Sequence, residues 1–546
     1  DRAIRRFKGS RTELLDAGGG TVLPGINDSH NHLNSLGLSL EPYKINVDTR
    51  SIEELVARVR KAAEEAPTQD SWIRGRAWQE VVLPRPPVAA DLDPVSGNHP
   101  VVLTDHSGHA MCVNSVVMRL AGITRDTVPP TGGVIEKDAD GEPNGVFRES
   151  ARNLVNPFIP AFTQEENSKA IDDAVKLVHS MGITSVTEAG LAPNLLALYQ
   201  EKSRAGALPL RVTALLMSGA TPQSPQGLRE VLAGYRPVDG VDPRTLNVVG
   251  VKIVADGIPR FRTAVMNEPY LDGSNGSYTI AGASQEEQIA NLHEMIKIAT
   301  DAKLQVGTHS CGGGSTDAAV AGYIKAVGRG WRGKDLRHYV IHCNFPSART
   351  LRSMARHGIG ANMNAEILYL QGRVLESIIG PELTEYQWPY RSALDAGVQL
   401  TSGSDAPVVA FHWLRGVMCA ALREAADGSV AGTAERISVP EALATYTRTG
   451  AWQDHAEKWK GTLERGMAAD VCIVDGDVLA RDAHDLIDMR VATTVVDGKV
   501  VYERGDGAQA KAAGAAFARA GLGRSGHVCE DGGKCCCQVA DEIHLA

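Results

Sequence analysis

The segment LPGINDSHNH, residues 23–32, carries two histidines separated by one residue, shortly after a Pro-Gly pair. Residues i and i+2 of a β-strand point to the same side, so His30 and His32 are expected to project together. Two imidazoles on one face of a strand suit a zinc-like cation. His-x-His pairs also arise by chance, so a metal site here requires further ligands from the rest of the chain.

Seven further segments are short, apolar and rich in β-branched residues, and helical patterns alternate with them. This alternation predicts a parallel sheet with crossover helices. With residues 23–32 there are eight candidate strands, the number that closes a (β/α)8 TIM barrel, so we predict an α/β fold. The seven segments are GITSVTEAG (182–190), LRVTALLMS (210–218), LNVVGVKIVADG (246–257), LQVGTHS (304–310), RHYVIHCN (337–344), GIGANMN (358–364) and GVQLTSGSD (397–405).

Two regions do not follow this alternation. From about residue 51 to 160 the chain is rich in Pro, Gly and Trp, which predicts an insertion over the barrel mouth. From residue 461 onward, short strands with Asp-Gly turns predict a small antiparallel sheet. The opening TELLDAGGGTVLPG, residues 12–25, has a similar character, so the two chain ends are expected to pair.

Potential metal ligands stand at the ends of three later strand segments. His309 is near the end of LQVGTHS, His342 lies in RHYVIHCN with His338 four residues before it, and Asp405 ends GVQLTSGSD. In TIM barrels the functional side chains lie at the carboxyl ends of the strands. Together with the first histidine pair, these residues predict a metal site at the barrel mouth.

Lys252 is an unusual member of the apolar segment GVKIVADG. A buried lysine is costly as a cation unless it is paired. Burial lowers its pKa, and the neutral amine can react with carbon dioxide to form a carbamate, an oxygen ligand that can bridge two metals. Alternatively, Lys252 forms an ion pair with Asp256 or another carboxylate. The residues alone leave both interpretations open.

This order of ligands, HxH on strand one, Lys on strand four, His on strands five and six and Asp on strand eight, resembles the amidohydrolase superfamily. More narrowly, the chain resembles the amidohydrolase-3 branch, which includes YtcJ-like hydrolases and N-substituted formamide deformylases. The matching strings follow the family's order over roughly residues 15–505: TVLPGINDSHNH, WIRGRAW, HAMCVNS, GGVIEKDADGEPNGVFRE, GITSVTEAG, VKIVADG, RH…IH, GSDAPV and GTLERGMAADVCIVD.

The resemblance implies a metal-bearing TIM barrel, a small β-sandwich built from both chain ends, and an inserted α/β domain. It also implies hydrolysis of carbon–nitrogen bonds other than peptide bonds, and it favours a carboxylated Lys252. The implied metal ligands are His30, His32, Lys252, His309, His342 and Asp405. The domain boundaries are 1–24 and 456–510 for the sandwich, whose amino-terminal part is shorter than usual, 25–50 and 160–455 for the barrel, 51–159 for the insertion and 511–546 for a Cys-rich tail.

The metal ligands of this chain match the pattern of the branch, but several residues near them differ from it. After His309 the branch usually has a Gly-Asp-Arg turn, whereas this chain has CGGGSTD. Ile341 stands where an acidic residue usually precedes the second strand-six histidine, and Asp105 stands where arginine is common. The departures therefore concern the substrate more than the catalytic class.

The expected cofactor is a divalent metal, zinc in the simplest case, with one or two ions bound. A bound metal lowers the pKa of water from 15.7 to about 7. Asp405 is expected to accept the proton of that water and to donate it to the leaving nitrogen. His338 either stabilises the oxyanion or makes a structural hydrogen bond. The same barrel could instead catalyse deamination, decarboxylation or isomerisation, and a catalytically inactive binding protein is disfavoured because no ligand is missing.

Composition limits the partners of the chain. The formal net charge is −9 and the basic residues are dispersed, which indicates no nucleic acid or membrane partner, and we expect a small-molecule substrate. The chain has no apolar run long enough to span a membrane. Its nine cysteines lack disulfide-like spacing, which predicts a reduced, cytoplasmic environment. The sequence leaves open whether the chain forms a homodimer.

The tail segment HVCEDGGKCCCQ has a high density of potential metal ligands. Thiolate and imidazole groups at short spacing suit zinc or an iron–sulfur centre. Adjacent cysteines cannot all face one metal without a tight bend, so a mobile or redox-active tail is the alternative. The residues concerned are His527, Cys529, Cys535, Cys536 and Cys537.

Overall fold

The computed structural model describes residues 4–505, apart from residues 11, 13, 69, 81, 131, 329–334, 410, 480 and 481. The tail that contains His527 and the four late cysteines lies outside the described residues, so a metal or redox site there stays a prediction. None of the described helices is both long and apolar enough to cross a bilayer.

The strands and helices are numbered along the chain. The strands are β1 (Thr21–Pro24), β2 (Ile26–Asn31), β3 (Ile45–Asn46), β4 (Ile73–Trp78), β5 (Val101–Asp105), β6 (Ala110–Val113), β7 (Gly133–Lys137), β8 (Pro143–Glu149), β9 (Ile183–Leu191), β10 (Arg211–Met217), β11 (Leu246–Val254), β12 (Gln305–Ser310), β13 (Tyr339–His342), β14 (Gly360–Met363), β15 (Leu400–Ser402), β16 (Val471–Val474), β17 (Val491–Val496) and β18 (Lys499–Glu503). The helices are α1 (Leu33–Gly37), α2 (Ile52–Glu64), α3 (Ala89–Ser96), α4 (Ser115–Leu120), α5 (Gln164–His179), α6 (Pro193–Arg204), α7 (Pro225–Gly234), α8 (Gln285–Asp301), α9 (Gly313–Val327), α10 (Ala348–His357), α11 (Ala365–Gln371), α12 (Glu376–Ile379), α13 (Pro381–Tyr386), α14 (Tyr390–Ala396), α15 (Trp413–Leu422), α16 (Val439–Thr445) and α17 (Arg448–Gln453).

The central sheet is the predicted barrel. Its eight strands are all parallel and run in the order β15-β14-β13-β12-β11-β10-β9-β2. The two edges meet where Asn31 bridges to Ala406 and the Asp405 N–H donates to the His30 carbonyl at 2.8 Å. Each of the eight predicted segments contains one of these strands, except that β9 extends one residue further, so the predicted (β/α)8 TIM barrel is confirmed.

Apolar side chains fill both sides of the barrel wall. Leu215, Tyr339 and Ile341 form a buried cluster of their own. Gly307 lies against that cluster, because a Cβ at this position would come within 2.9 Å of all three side chains. The largest apolar cluster of the protein includes residues from the barrel strands and the surrounding helices. Both faces of each strand are therefore buried, which explains the nearly continuous apolar strand segments.

The inserted region forms a mixed sheet with six strands in the order β3-β4-β5-β6-β8-β7. One buried apolar cluster includes Trp78 and Leu103, and a second includes Met111 and Phe147. The predicted inserted α/β region is present, and its first strand, Ile45–Asn46, lies before the predicted start at residue 51. The domain boundaries themselves stay a prediction.

The two chain ends form a small antiparallel sheet in the order β1-β16-β17-β18. One strand comes from the amino-terminal part and three come from the carboxyl-terminal part, as predicted. Within the described residues this structure is one four-stranded sheet. A buried ion pair connects it to the barrel, since both Arg211 at the start of β10 and Asp470 before β16 are buried and contact each other at 2.5 and 2.9 Å.

Candidate metal centre

The first ligand group forms where the two ends of the barrel sheet meet. His30 lies in β2, His32 follows it, and Asp405 follows β15. His30 Nε2 and His32 Nε2 lie 3.1 and 3.3 Å from the same oxygen, Asp405 Oδ1. Zinc–nitrogen and zinc–oxygen bonds at a tetrahedral angle separate their ligand atoms by about 3.4 Å. The structure therefore brings these three predicted ligands together at a spacing that one cation can span.

The environment of His30 also fits a ligand. The residue is fully buried, and neither ring nitrogen has a hydrogen bond of good geometry to any described residue, although Nε2 is close to Asp405. Buried polar atoms without partners are rare and call for an explanation such as an ion. Gly403 permits this arrangement, because a Cβ at this position would lie 2.6 Å from the Cβ and the backbone nitrogen of His30.

A second ligand group lies beside the first. His309, Cys311 and His342 each offer one ligand atom within 4.8 Å of the other two. The imidazole centroid of His342 is 4.5 Å from that of His309 and 5.3 Å from that of His30. Two neighbouring cation positions at the carboxyl ends of the strands are thus available from these side chains.

Asn364 sets the orientation of the His342 ring. Its Oδ1 accepts a hydrogen bond from His342 Nδ1 at 2.8 Å, and its Nδ2 donates to the Gly403 carbonyl at 2.7 Å. The Nδ1 proton is therefore committed, and Nε2 keeps its lone pair for a metal. Sequence reasoning missed this residue, because an asparagine after a strand is common in loops and carries no specific signal.

Lys252 lies on β11 and is electrostatically coupled to both ligand groups. Burial lowers the pKa of Lys252 to about 8. Burial is the main cause of the lowered pKa of His30 and of His309, and the positive charge of Lys252 lowers both further. Within the described part of the chain, the Lys252 amine makes no hydrogen bond or ion pair, and the negative charge of Asp405 is the main influence that opposes the lowering of its pKa. The predicted alternative was an ion pair with Asp256 or another carboxylate, and of these Asp256 is not within ion-pair distance of Lys252, whereas Asp405 acts on it electrostatically.

Asp256 has other partners. Its carboxylate accepts hydrogen bonds from the backbone N–H groups of Val265, Cys311 and Gly312, at 2.9–3.0 Å, and from the Ser315 hydroxyl at 2.6 Å. Four donors satisfy both oxygens, so no ammonium partner is needed. Asp256 instead holds the loop that follows β12.

The protonation states of the first and second groups suit metal binding. Burial lowers the pKa of His342 to about 4 and holds the pKa of His309 well below its ordinary value. Burial opposes ionisation of Asp405, but the neighbouring His30, His32 and His342 together outweigh it and keep the Asp405 pKa well below its ordinary value. At neutral pH the site therefore offers neutral imidazoles at His309 and His342 and a carboxylate at Asp405, the forms that bind metals.

His338 does not lie at the site. It precedes β13, whereas His342 ends that strand, and four residues of strand separate them by roughly 13 Å. His338 Nδ1 accepts from the Val306 N–H at 3.0 Å, and Nε2 lies 3.1 Å from the Thr300 hydroxyl. The predicted role of His338 in stabilising the oxyanion is therefore wrong, and the alternative prediction, a structural hydrogen bond, is the one that the structure shows.

The inserted sheet contributes residues that sequence reasoning did not assign. His109 lies between β5 and β6, and its ring centroid is 6.1 Å from that of His309. Burial disfavours its charged form, but Glu149, 2.8 Å from His109 Nδ1, raises the His109 pKa. Thr263 donates to the other Glu149 oxygen at 2.7 Å. The string HAMCVNS, which begins at His109, carried part of the resemblance and was the available signal.

Backbone conformation also marks the site. His342, Cys343 and Asp405 have φ angles of 71°, 46° and 62°, in a region that residues other than glycine rarely adopt. Such backbone conformations cluster at functional sites, where the surrounding structure enforces them. Two of these three residues are predicted ligands.

Comparison with known proteins agrees with this geometry. The model of the amidohydrolase family matches residues 13–502. The chain is 26% identical to the putative amidohydrolase YtcJ of Bacillus subtilis, covering 92% of this chain and 93% of the relative. It is 28% identical to the N-substituted formamide deformylase of Arthrobacter pascens, covering 92% of each.

Solved structures show the same fold. An uncharacterized metal-dependent hydrolase from Pyrococcus horikoshii superposes with a TM-score of 0.68 at 21% identity, covering 88% of this chain and 91% of the other. One from Pyrococcus furiosus superposes with a TM-score of 0.65 at 25% identity and the same coverage. The predicted amidohydrolase-3 resemblance is confirmed: the chain belongs to the amidohydrolase family and is an amidohydrolase, an enzyme that hydrolyses carbon–nitrogen bonds other than peptide bonds.

Proposed function

We propose that this amidohydrolase cleaves an amide or formamide-type bond of a small molecule by attack of water, with zinc as its cation. The observation that carries the proposal is the approach of His30 Nε2 and His32 Nε2 to one oxygen of Asp405, at 3.1 and 3.3 Å. When bound, a divalent cation supplies a more acidic water and polarises the carbonyl oxygen. The ligands His30, His32, His309 and His342 would hold it, with Asp405.

Asp405 acts as the general base and then as the general acid. Its carboxylate is ionised over the neutral pH range, since its pKa lies well below its ordinary value. It can accept one proton from the attacking water and donate the same proton to the nitrogen of the leaving amine. Asp405 is largely buried, so few waters compete for that proton.

Lys252 is carboxylated in this proposal. The supporting observations are the burial of Lys252, an amine without a hydrogen bond or ion pair among the described residues, and its electrostatic influence on ligands of both groups. The neutral amine adds to carbon dioxide and releases one proton, and the resulting carbamate carries two oxygens. Bicarbonate is expected to speed zinc uptake by the apoprotein, and Lys252→Ala is expected to remove this effect. Uptake that is indifferent to bicarbonate would argue against carboxylation.

The relatives suggest where to look for the substrate. The Arthrobacter pascens relative is an N-substituted formamide deformylase, so N-substituted formamides are the first candidates. His109 and Glu149 of the inserted sheet lie near His309, where they can contact a bound substrate. This placement predicts that the inserted sheet governs substrate choice.

A second candidate is deamination, decarboxylation or isomerisation in the same barrel. The observation that favours it is the thiol of Cys311, 3.5 Å from His309 Nε2, in a turn that differs from the family pattern. A sulfur ligand from Cys311 would change the charge of the metal centre and the positions at which a substrate can bind to it. The metal ligands and Asp405 would be shared by both candidates.

The test is a panel of N-formyl, N-acyl and amidine compounds with the zinc-loaded protein. Release of amine together with formate or another carboxylate supports the proposal, and release of ammonia or carbon dioxide alone supports the second candidate. Zinc-loaded Asp405→Asn is the control for contaminating activity. A panel with no turnover of any amide or formamide would contradict the proposal.

A reduced, cytoplasmic location is part of the same proposal. The supporting observation is that the cysteines of the described residues are free thiols and all are buried. A reducing compartment keeps thiols in this state. The cysteines concerned are Cys112, Cys311, Cys343, Cys419 and Cys472.

A further inference from the structure

Cys311 directly follows β12, and its thiol faces two proposed ligands. Its Sγ lies 3.5 Å from His309 Nε2, and both have a ligand atom within 4.8 Å of one on His342. Zinc–sulfur and zinc–nitrogen bonds of about 2.3 and 2.05 Å at a tetrahedral angle separate sulfur and nitrogen by about 3.6 Å. The observed separation is therefore close to the one that a shared cation requires.

The position of Cys311 is built into the loop. The Cys311 N–H donates to Asp256 Oδ1 at 3.0 Å, and the Gly312 N–H donates to Asp256 Oδ2 at 2.9 Å. A Cβ at Gly312 would lie 1.9 Å from the Val265 carbonyl oxygen, so this turn requires glycine. Buried groups thus hold the cysteine backbone beside the ligands, and the Cys311 side chain is itself buried and free of any disulfide.

We propose that Cys311 is a ligand of the cation held by His309 and His342, which gives that position one sulfur and two nitrogen donors from the protein. The inference rests on the proposed metal centre and extends it to a residue that the ligand order of the family does not include. On binding, a sulfur–metal bond replaces the S–H bond, and the thiol proton leaves to solvent. A thiolate is a soft ligand, so this position selects zinc or cobalt over magnesium and manganese.

The test uses the full chain loaded with cobalt(II). Thiolate ligands give cobalt(II) a charge-transfer absorption in the near ultraviolet, whereas imidazole and carboxylate ligands do not. Cys311→Ser is expected to lose this absorption relative to the wild-type protein at equal cobalt loading. Any contribution from the cysteines of the tail is common to both proteins and cancels in the difference spectrum.

The matched control is Cys343→Ser. Cys343 is also buried and adjoins His342, but it belongs to the large apolar cluster of the barrel wall and to neither ligand group. This variant is expected to keep the wild-type spectrum. Zinc affinity should also distinguish the two variants. Cys311→Ser should weaken zinc binding at one site, and Cys343→Ser should not. The loss should exceed the roughly 10–100-fold that follows removal of a hydrogen-bond partner of a metal ligand.

A spectrum of Cys311→Ser identical to that of the wild type at equal loading would overturn the proposal. A fully loaded wild-type protein without the absorption would overturn it too, whether or not the variant folds. Cys311→Ala provides a second variant, and melting of the apoproteins reports folding. The cobalt spectrum does not depend on turnover. The Cys311 proposal can therefore fail while the hydrolase proposal stands, and the hydrolase proposal can fail while Cys311 is shown to bind the metal.

Discussion

Replacing Asp405 with asparagine should separate proton transfer from folding. Asp405→Asn keeps the size of the side chain that contacts His30 Nε2 at 3.1 Å and His32 Nε2 at 3.3 Å, but the amide cannot accept the proton of water. General acid–base catalysis contributes roughly 10²–10⁴-fold. At about 1.4 kcal/mol for each factor of ten, the barrier should rise by about 3–5 kcal/mol. We expect kcat to fall by at least about 10²-fold.

The assay has to exclude metal loss, because asparagine also removes a charge from the ligand group. Turnover is therefore measured at saturating zinc, with the zinc content of each sample determined. Asp470→Asn is the matched control: this buried carboxylate pairs with Arg211 at the amino-terminal end of the barrel. It should lose about 3–5 kcal/mol of stability and keep the turnover of the folded enzyme. Fully loaded Asp405→Asn with turnover within tenfold of wild type would refute a proton-transfer role for Asp405.

Three further variants test how the site is supported. Asn364→Ala frees the His342 ring that Asn364 holds at 2.8 Å, so zinc affinity should fall roughly 10–100-fold in a titration. Gly403→Ala places a Cβ 2.6 Å from the backbone of His30, so zinc binding and thermal stability should fall together. His338→Gln should lower stability by about 1–3 kcal/mol while kcat of the folded enzyme stays within tenfold.

Each of these variants has a control or an opposing outcome. Asn362→Ala removes an asparagine of β14 that donates to Thr401 at 3.0 Å, and it should leave zinc affinity unchanged. Gly234→Ala adds a Cβ where no atom lies within 4 Å, and it should be nearly neutral. Unchanged zinc affinity in Asn364→Ala or in Gly403→Ala would contradict the orienting role of Asn364 or the close approach of Gly403.

The pH dependence of stability gives His338 an independent check. Burial lowers its pKa from 6.5 to about 4, so between these values the unfolded chain binds the proton that the folded protein excludes. The His338 contribution is complete above pH 6.5 and is lost as the pH falls toward 4, by about 3 kcal/mol in all. The stability difference between wild type and His338→Gln should shrink over this range. A pH-independent difference, or a selective loss of kcat, would contradict the structural role.

The strands and most of the ligands could be predicted because both depend on local sequence. A buried parallel strand is usually a short apolar run, and all seven such runs became barrel strands, whereas β2 is largely polar and was identified by its histidine pair. Parallel strands present their carboxyl ends on one side, so residues at equivalent strand ends meet without any knowledge of the packing. His30, His309, His342 and Asp405 were predictable for this reason.

Residues whose roles depend on contacts between distant segments could not be predicted in this way. His338 and His342 are four residues apart, so on one strand both side chains would point to the same face. Only the position of β13 in the barrel shows that His342 lies at the barrel mouth and His338 at the opposite end. Cys311 reaches the ligands because Asp256, from the loop after another strand, holds its backbone. Whether Lys252 has a carboxylate partner likewise depends on which side chains from other segments pack around it.

The sequence by itself determined the barrel, the inserted region and the residues able to hold a cation, because apolar periodicity and strand ends are properties of short segments. Only the tertiary structure decided which of those residues face one another. It placed one oxygen of Asp405 between two imidazoles, left Lys252 unpaired within the described residues, and added Cys311 and Asn364 to the site. The 3.1 and 3.3 Å approaches of His30 and His32 to Asp405 arise only when the barrel closes, since closure brings the first and eighth strands together.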